Sequence, residues 1–359
     1  MRHDRAALAD FELPERLSAV QPPEERGVGR GQVRLLVADG LSVLHRRFDD
    51  LPDHLAAGDL VVFNTSATLP AAVDGTLRQE RPVVVHFATA LDDGTWVVEV
   101  RPAVRAYGPV TSMVVGDRVR LASGASATLL TAYPDASRPA SRLWRAAISV
   151  PDVLRLLYRY GRPITYGYMS KRWPLGYYQT VFAIDPGSAE MPSAGRPFTA
   201  ELVTSLIARG VRMAPVTLHT GVSSPEAGEP PAPERYHVPS GTADLVNLTH
   251  RRGGRVVATG TTVTRALETV ADTSGSLTCG HGWTHLVLGA DRPARVVDGL
   301  ITGWHAPGAS HLLLLEAVAG AGLVRAAYEQ ALQHGYLWHE FGDSSLLLTN
   351  RSNHAHPAS

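Results

Sequence analysis

Three stretches carry an apolar run into a polar turn: Val216-Thr-Leu-His-Thr-Gly221, Gly260-Thr-Thr262 and Val296-Val-Asp-Gly-Leu-Ile-Thr-Gly-Trp-His305. The first delivers His219, the second two hydroxyls, the third Asp298 and His305. Imidazoles and carboxylates exchange protons near neutral pH when their surroundings tune them. Gly260-Thr261-Thr262 precedes residues with helical spacing, and a helix start offers N–H groups and a partial positive charge that hold a carboxylate or phosphate. Side by side, the three would make a site for proton transfer next to an anion-holding turn. Each also has a plainer reading. Thr261 or Thr262 could simply cap a helix, His219 and His305 could be hydrogen-bonded core or rim histidines, and Asp298 could brace a turn. His281 and His285 in HGWTH are spaced like a metal pair, but no acid or helical pattern follows, so no metal is expected.

Those turns need strands and helices to hold them. Arg255 to Ala258 is short and β-branched, whereas Val263, Ala266, Leu267 and Val270 repeat at three and four residues, so the hydroxyls sit at a strand-to-helix junction. The same reading gives helices at Phe198 to Ala208, Ala243 to Arg252, Thr262 to Ala271, Leu312 to Ala319 and Leu323 to His334. Strands are expected at Val211 to Leu218, Val256 to Ala258 and Leu286 to Leu288. Such alternation implies an open α/β sheet, whose ligands bind beyond the carboxyl ends of the strands. From Gly58 to about Val150 the texture differs: DLVVF, RPVVVHF, TWVVEV, DRVRL, ATLL and LWRAAISV are short strands separated by turns, as in a small barrel. The expected fold is therefore an open α/β sheet domain built from both ends of the chain, residues 1–65 and 151–350, with an inserted small β-barrel domain at 66–150. Gly221 to Pro239, rich in proline and glutamate, reads as a long loop over the sheet edge, and 351–359 as a disordered tail.

Composition narrows the field. The 359 residues suffice for two domains of about 150 residues. Hydrophobic residues make up 44% and charged residues 19%, an ordinary globular balance. With 34 basic and 34 acidic residues no global charge advertises nucleic acid, so any RNA contact rests on a local patch. Lys171 is the only lysine, a bias toward arginine that extends to ordinary surface positions. Cys279 stands alone, which rules out an internal disulfide and a cysteine-cage metal and fits a reducing compartment. The first residues alternate charges instead of forming a signal peptide, and His311 to Leu323 falls short of the ~18 uninterrupted apolar residues of a membrane span. A cytoplasmic protein without membrane attachment, working as a monomer, is the expectation.

Longer stretches resemble a known family. FELPERL, ERGVGRGQVRLLV, DLPDHLAAGDLVVFN, YYQTVFA, GSAEMPSAGRPFT, VTLHTG, GTTVTRALE, VVDGLITGWHAP and FGD follow one another from Phe11 to about Leu348 as in the S-adenosylmethionine:tRNA ribosyltransferase-isomerases of queuosine biosynthesis. The resemblance implies transfer and isomerisation of the ribosyl group of S-adenosylmethionine onto the 7-aminomethyl-7-deazaguanine base of tRNA, giving epoxyqueuosine and releasing adenine and methionine. It implies S-adenosylmethionine as substrate and no metal or other cofactor. The sulfonium acidifies the neighbouring ribose C5′ protons, so a base is wanted there, and adenine leaves more easily if an acid protonates it. By resemblance Glu234, His219, His305 and Asp298 are the catalytic candidates. Thr261, Thr262 and Arg265 are assigned to the methionine carboxylate, apart from the proton-handling groups. Tyr178, Gln179 and Thr180 are assigned to the pocket wall, and Ser193, Gly195 and Phe198, with Ala194, to a loop near the ligand.

The chain departs from the family's pattern at four places. Asn64-Thr65-Ser66-Ala67 stands where the family has Asn-Asp-Thr-Arg, and Pro197 where it has a histidine. Glu229 to Glu234 keeps only the glutamate of His-x-Met-His-x-Glu, and Gly303-Trp304-His305 replaces Asn-Phe-His. Two further readings stay open beside the enzyme on tRNA: a paralogue using S-adenosylmethionine with another acceptor or none, and a non-catalytic RNA-binding protein.

Overall fold

A computed structural model describes residues 11–349 except 41, 104–107, 138–140, 170 and 223–230. Near the start lie β1 (Arg34–Asp39), β2 (Ser42–Arg47), β3 (Leu60–Asn64) and β4 (Ser66–Thr68). Six strands follow: β5 (Ala72–Thr76), β6 (Pro82–Ala90), β7 (Trp96–Pro102), β8 (Arg118–Leu121), β9 (Ser126–Tyr133) and β10 (Leu143–Ile148). Then come α1 (Val153–Tyr160), β11 (Asp185–Ser188), α2 (Ala200–Ala208), β12 (Arg212–Leu218), β13 (Glu234–Val238) and α3 (Ser240–Arg251). The chain continues through β14 (Val256–Thr259), α4 (Thr261–Thr269), β15 (Gly280–Thr284), β16 (Gly299–Gly303), α5 (His311–Ala319), α6 (Ala321–Gln333) and β17 (Ser344–Leu348).

Nine strands form one sheet in the order β15-β13-β12-β3-β14-β16-β17-β1-β2, and β5 to β10 close into a barrel. Both ends of the described chain thus enter one mixed α/β sheet, with β1 parallel to β17. Apolar side chains fill both faces of the inner strands. Leu36, Leu60, Val62 and Ala258 pack under α3 to α6 with Val246, Val263, Leu315 and Val324, while Leu35, Val61, Val257 and Ile301 meet Phe48, Phe198 and Leu206 opposite. Burial on both faces explains why these strands read as apolar runs instead of alternating. The barrel core is separate and holds Val85, Phe87, Val98, Val119 and Trp144. A small parallel pair, β4 with β11, joins the two crossings between barrel and sheet, and Ala72 bridges Arg162 beside it.

Two expectations need correcting. Leu286 to Leu288 is not a strand. Gly280–Thr284 is, pairing with β13 at the sheet edge. The expected loop from Gly221 to Pro239 contains β13, because Glu234–Val238 pairs with both β12 and β15. Residues 223–230 of that loop and the expected tail 351–359 lie outside the described residues.

Candidate active site

Strand directions gather one rim. β3, β12, β14 and β16 run parallel, so Asn64, Leu218, Thr259 and Gly303 end on the same side of the sheet. β13 runs antiparallel to β12 and β17 antiparallel to β16, so both begin there, with Glu234 and Ser344. This is the edge at which α/β sheets bind ligands.

His219 follows β12. Its Nδ1 lies 2.7 Å from Ser66 Oγ, which is 2.6 Å from Ser188 Oγ, and that oxygen accepts the Thr220 N–H at 3.0 Å. Gly187 makes room for the ring, since a Cβ there would sit 2.3 Å from His219 Nδ1. Burial lowers the imidazole pKa. Asn64 binds the ends of β3 and β12 together, donating to Leu218 O at 2.8 Å and accepting the Leu218 N–H at 3.0 Å. The same amide reaches Thr262 Oγ1 at 3.4 Å.

α4 begins at Thr261 with Gly260 as its N-cap, at φ 97°, and no side chain caps it. Neither Thr261 nor Thr262 is therefore the cap, which removes the plainer reading of that turn. A Cβ on Gly260 would lie 3.2 Å from Ala194 Cβ, so the Ser193–Gly195 turn is seated directly on the helix start. Arg265, one turn into the helix, faces away from that start. It donates to Glu234 and, at 3.1 Å, to Leu286 O. The expected separation of Arg265 from the proton-handling glutamate is thus overturned, because the two form a largely buried ion pair. Burial pushes the Glu234 carboxyl up, against the opposing pull of Arg265 and of the Gly221 N–H at 3.2 Å.

His305 follows β16 and stacks on His311 at 4.6 Å between ring centroids, with Nε2 3.1 Å from Thr302 Oγ1. Burial, with His311 and His339 nearby, holds its pKa well below the ordinary value, and His311 is held down to about 4 by burial and Arg265. Both rings are neutral at pH 7. Further along the cleft, Tyr168 stacks on His339 at 4.2 Å and donates to Glu340, while Tyr166 donates to Glu190. Burial pushes Glu340 up to about 7, with Glu190 adding to the rise and the Tyr168 bond opposing it. Glu190 also raises Glu234, which ties the two walls to one cleft. These side chains are packed by neighbours on most sides yet keep some exposure to solvent.

Several expected residues stand elsewhere. Asp298 precedes β16 and so lies on the opposite rim, where its carboxylate accepts the Val256 N–H at 2.8 Å and bonds His250 Nε2 at 3.0 Å. It braces the sheet. Phe198 is fully buried against Phe48 and Phe182 beneath the strands. Gln179 clamps the backbone of Thr68, accepting its N–H at 3.0 Å and donating to its carbonyl at 2.8 Å. Tyr178 packs on Phe341, and Thr180 lies behind Gly195, so this segment backs the cleft instead of lining it. Glu190, His311, Tyr166, Tyr168, His339 and Glu340 were not singled out from sequence. Glu190 lay within a quoted stretch, but nothing local marks a glutamate that meets a tyrosine 24 residues away.

Fold and rim together define a class: an α/β protein with an inserted six-stranded barrel and a cleft of neutral imidazoles and buried carboxyls suited to proton transfer. Residues 7–347 match the family model described as queuosine biosynthesis protein. The chain is 36% identical over 355 residues to an S-adenosylmethionine:tRNA ribosyltransferase-isomerase of Acidiphilium cryptum, covering 95% of this chain and 99% of that one. It is 34% identical to the protein of the same name from Symbiobacterium thermophilum, over 94% and 98% of the two chains. A crystal structure of an S-adenosylmethionine tRNA ribosyltransferase from Thermotoga maritima superposes with a TM-score of 0.53 at 28% identity, covering 95% of this chain and all of that one. The chain belongs to the queuosine biosynthesis protein family.

Proposed function

We propose that this chain is an S-adenosylmethionine:tRNA ribosyltransferase-isomerase, moving the ribosyl group of S-adenosylmethionine to an aminomethyl-deazaguanine base in tRNA and releasing adenine and methionine. One observation carries the reading: strands far apart in sequence bring His219, Glu234, His305 and the uncapped start of α4 to a single rim. Thr261 and Thr262, with the Ser193–Gly195 turn over them, receive the methionine carboxylate at the helix N-terminus. His219 and His305, neutral at pH 7, serve as proton acceptors beside the ribose. Glu234 is paired with Arg265, whose guanidinium opposes the upward push that burial gives its carboxyl. S-adenosylmethionine is the only small molecule needed, the protein works as a monomer in the cytoplasm, and no metal takes part.

A second reading, a different acceptor, is favoured by one detail. Thr65 and Ser66, at two places where the chain departs from the family's pattern, both engage groups at the rim: Thr65 Oγ1 donates to Asp185 at 2.9 Å, and Ser66 binds His219. Incubation with S-adenosylmethionine, with and without tRNA carrying the aminomethyl base, followed by mass spectrometry, separates the readings. Adenine and methionine formed only with that tRNA support the first. Formation without it supports the second. Their absence in both arms overturns both. Activity abolished by a chelator would overturn the metal-free part.

A further inference from the structure

We propose that Glu340, held by Tyr168, is the proton donor to the adenine that leaves in the reaction assigned above, and the proposal rests on that assignment. Glu340 belongs to the turn between α6 and β17, and it faces Ser193 and Gly303 across a small recess at the rim. Ser193 is part of the turn seated on Gly260, and Gly303 lies two residues before His305, so the recess joins Glu340 to the segments that lead to the anion end and to His305. The turn is tightly determined. A Cβ on Gly342 would come within 2.3 Å of Leu337 O, and His339 takes φ 73°, a left-handed conformation uncommon outside glycine.

The chemistry calls for two proton movements of opposite sense. A base removes a ribose C5′ proton next to the sulfonium. The C1′–N9 bond breaks with its electron pair on adenine, and a ring nitrogen of adenine takes a proton from an acid. One proton is taken up and one given, so the cleft's charge is unchanged. Neutral His219 and His305 suit the first movement. Glu234 is a poor source for the second, because its two oxygens already accept from a guanidinium and an N–H. The Glu340 carboxyl receives bonds from Tyr168 and from its own backbone N–H, and from no guanidinium. Those bonds steady the carboxylate that remains once the proton has gone. A carboxyl titrating near 7 holds its proton and yields it at the working pH. The other titratable groups facing it are Tyr166, Tyr178, Glu190 and His339, with Arg196 and Asp343 in the recess. Arg196 is engaged by Glu24, and Asp343 by Arg34.

The test is single-turnover adenine release by the full chain across pH 5.5 to 9, in whichever acceptor arm supports turnover, with S-adenosylmethionine binding followed by calorimetry. The wild type is expected to lose rate above about pH 7. E340Q should fall about 100-fold and lose that limb, with affinity for S-adenosylmethionine within about twofold of the wild type, since no binding contact is removed. Y168F, which removes the bond that favours the carboxylate, should move the limb to higher pH. E340D should recover part of the rate. An E340Q protein that keeps both rate and limb overturns the proposal while leaving the assigned function standing. If E340Q does not fold, an unmoved limb in Y168F overturns it instead. A wild type that releases no adenine overturns the function and this inference together.

Discussion

Arg265 and Glu234 show how a residue's partner changes its meaning. As a sequence, an arginine one turn into a helix invites assignment to a ligand carboxylate; in the fold its guanidinium is spent on Glu234 and on two carbonyls. Arg265→Ala strands a largely buried carboxylate and is expected to cost about 3–5 kcal/mol in denaturant unfolding. Adding Glu234→Gln should recover most of that loss. If the single variant unfolds like the wild type, the pair is not holding the rim. His219, Glu234 and His305 were legible because each stands at an apolar run's edge beside glycine or within a quoted stretch. Glu340 and Tyr168 were not, because their meeting spans 172 residues and depends on a left-handed turn that no local pattern announces.

Among elements, legibility followed burial. β3 and β14 are covered on both faces and declare themselves as apolar runs, and α4 declares itself by period. β13 and β15 escaped because the sheet edge asks little of them: Glu234–Val238 follows a proline-rich stretch and Gly280–Thr284 contains two glycines, so neither carries an apolar run. Which end of a strand a residue occupies matters as much as which strand it is on. Asp298 and His305 flank the same β16, and only the second reaches the cleft. Asp298→Ala should therefore lower stability by about 1–3 kcal/mol, through the unpaired Val256 N–H and lost His250 bond, while adenine release per folded molecule stays unchanged. A catalytic defect with unaltered melting would return Asp298 to the site.

At the scale of the molecule, the barrel carries its own ionic centre. Glu99 is fully buried, with Arg101 at 2.9 Å, Arg142 at 3.0 Å and His86 at 3.5 Å. Burial alone would raise its pKa, but His86 and the two guanidiniums outweigh that and hold it at about 2. A carboxyl depressed from its ordinary 4.5 contributes stability that is complete above that value and is lost as pH falls toward 2. The loss amounts to about 3 kcal/mol. Acid titration followed by the fluorescence of Trp96 and Trp144, both in the barrel core, should show it, and Glu99→Gln should remove that dependence from a barrel already less stable.

The sheet's strand order also sets a timetable for synthesis. All six barrel strands have been made by Ile148, so the barrel can close while the chain is still growing. The sheet cannot. Val61 and Val62 in β3 wait for partners that begin at Arg212 and Val256, and β1 has only β2 until Ser344–Leu348 arrives. That last strand slots between β16 and β1, so a β1–β2 hairpin whose β1 is apolar, made near the start, must stay soluble through nearly all of translation. A ribosome that stops short of Ser344 leaves a finished barrel on a sheet still in two pieces, with an unpaired edge on each.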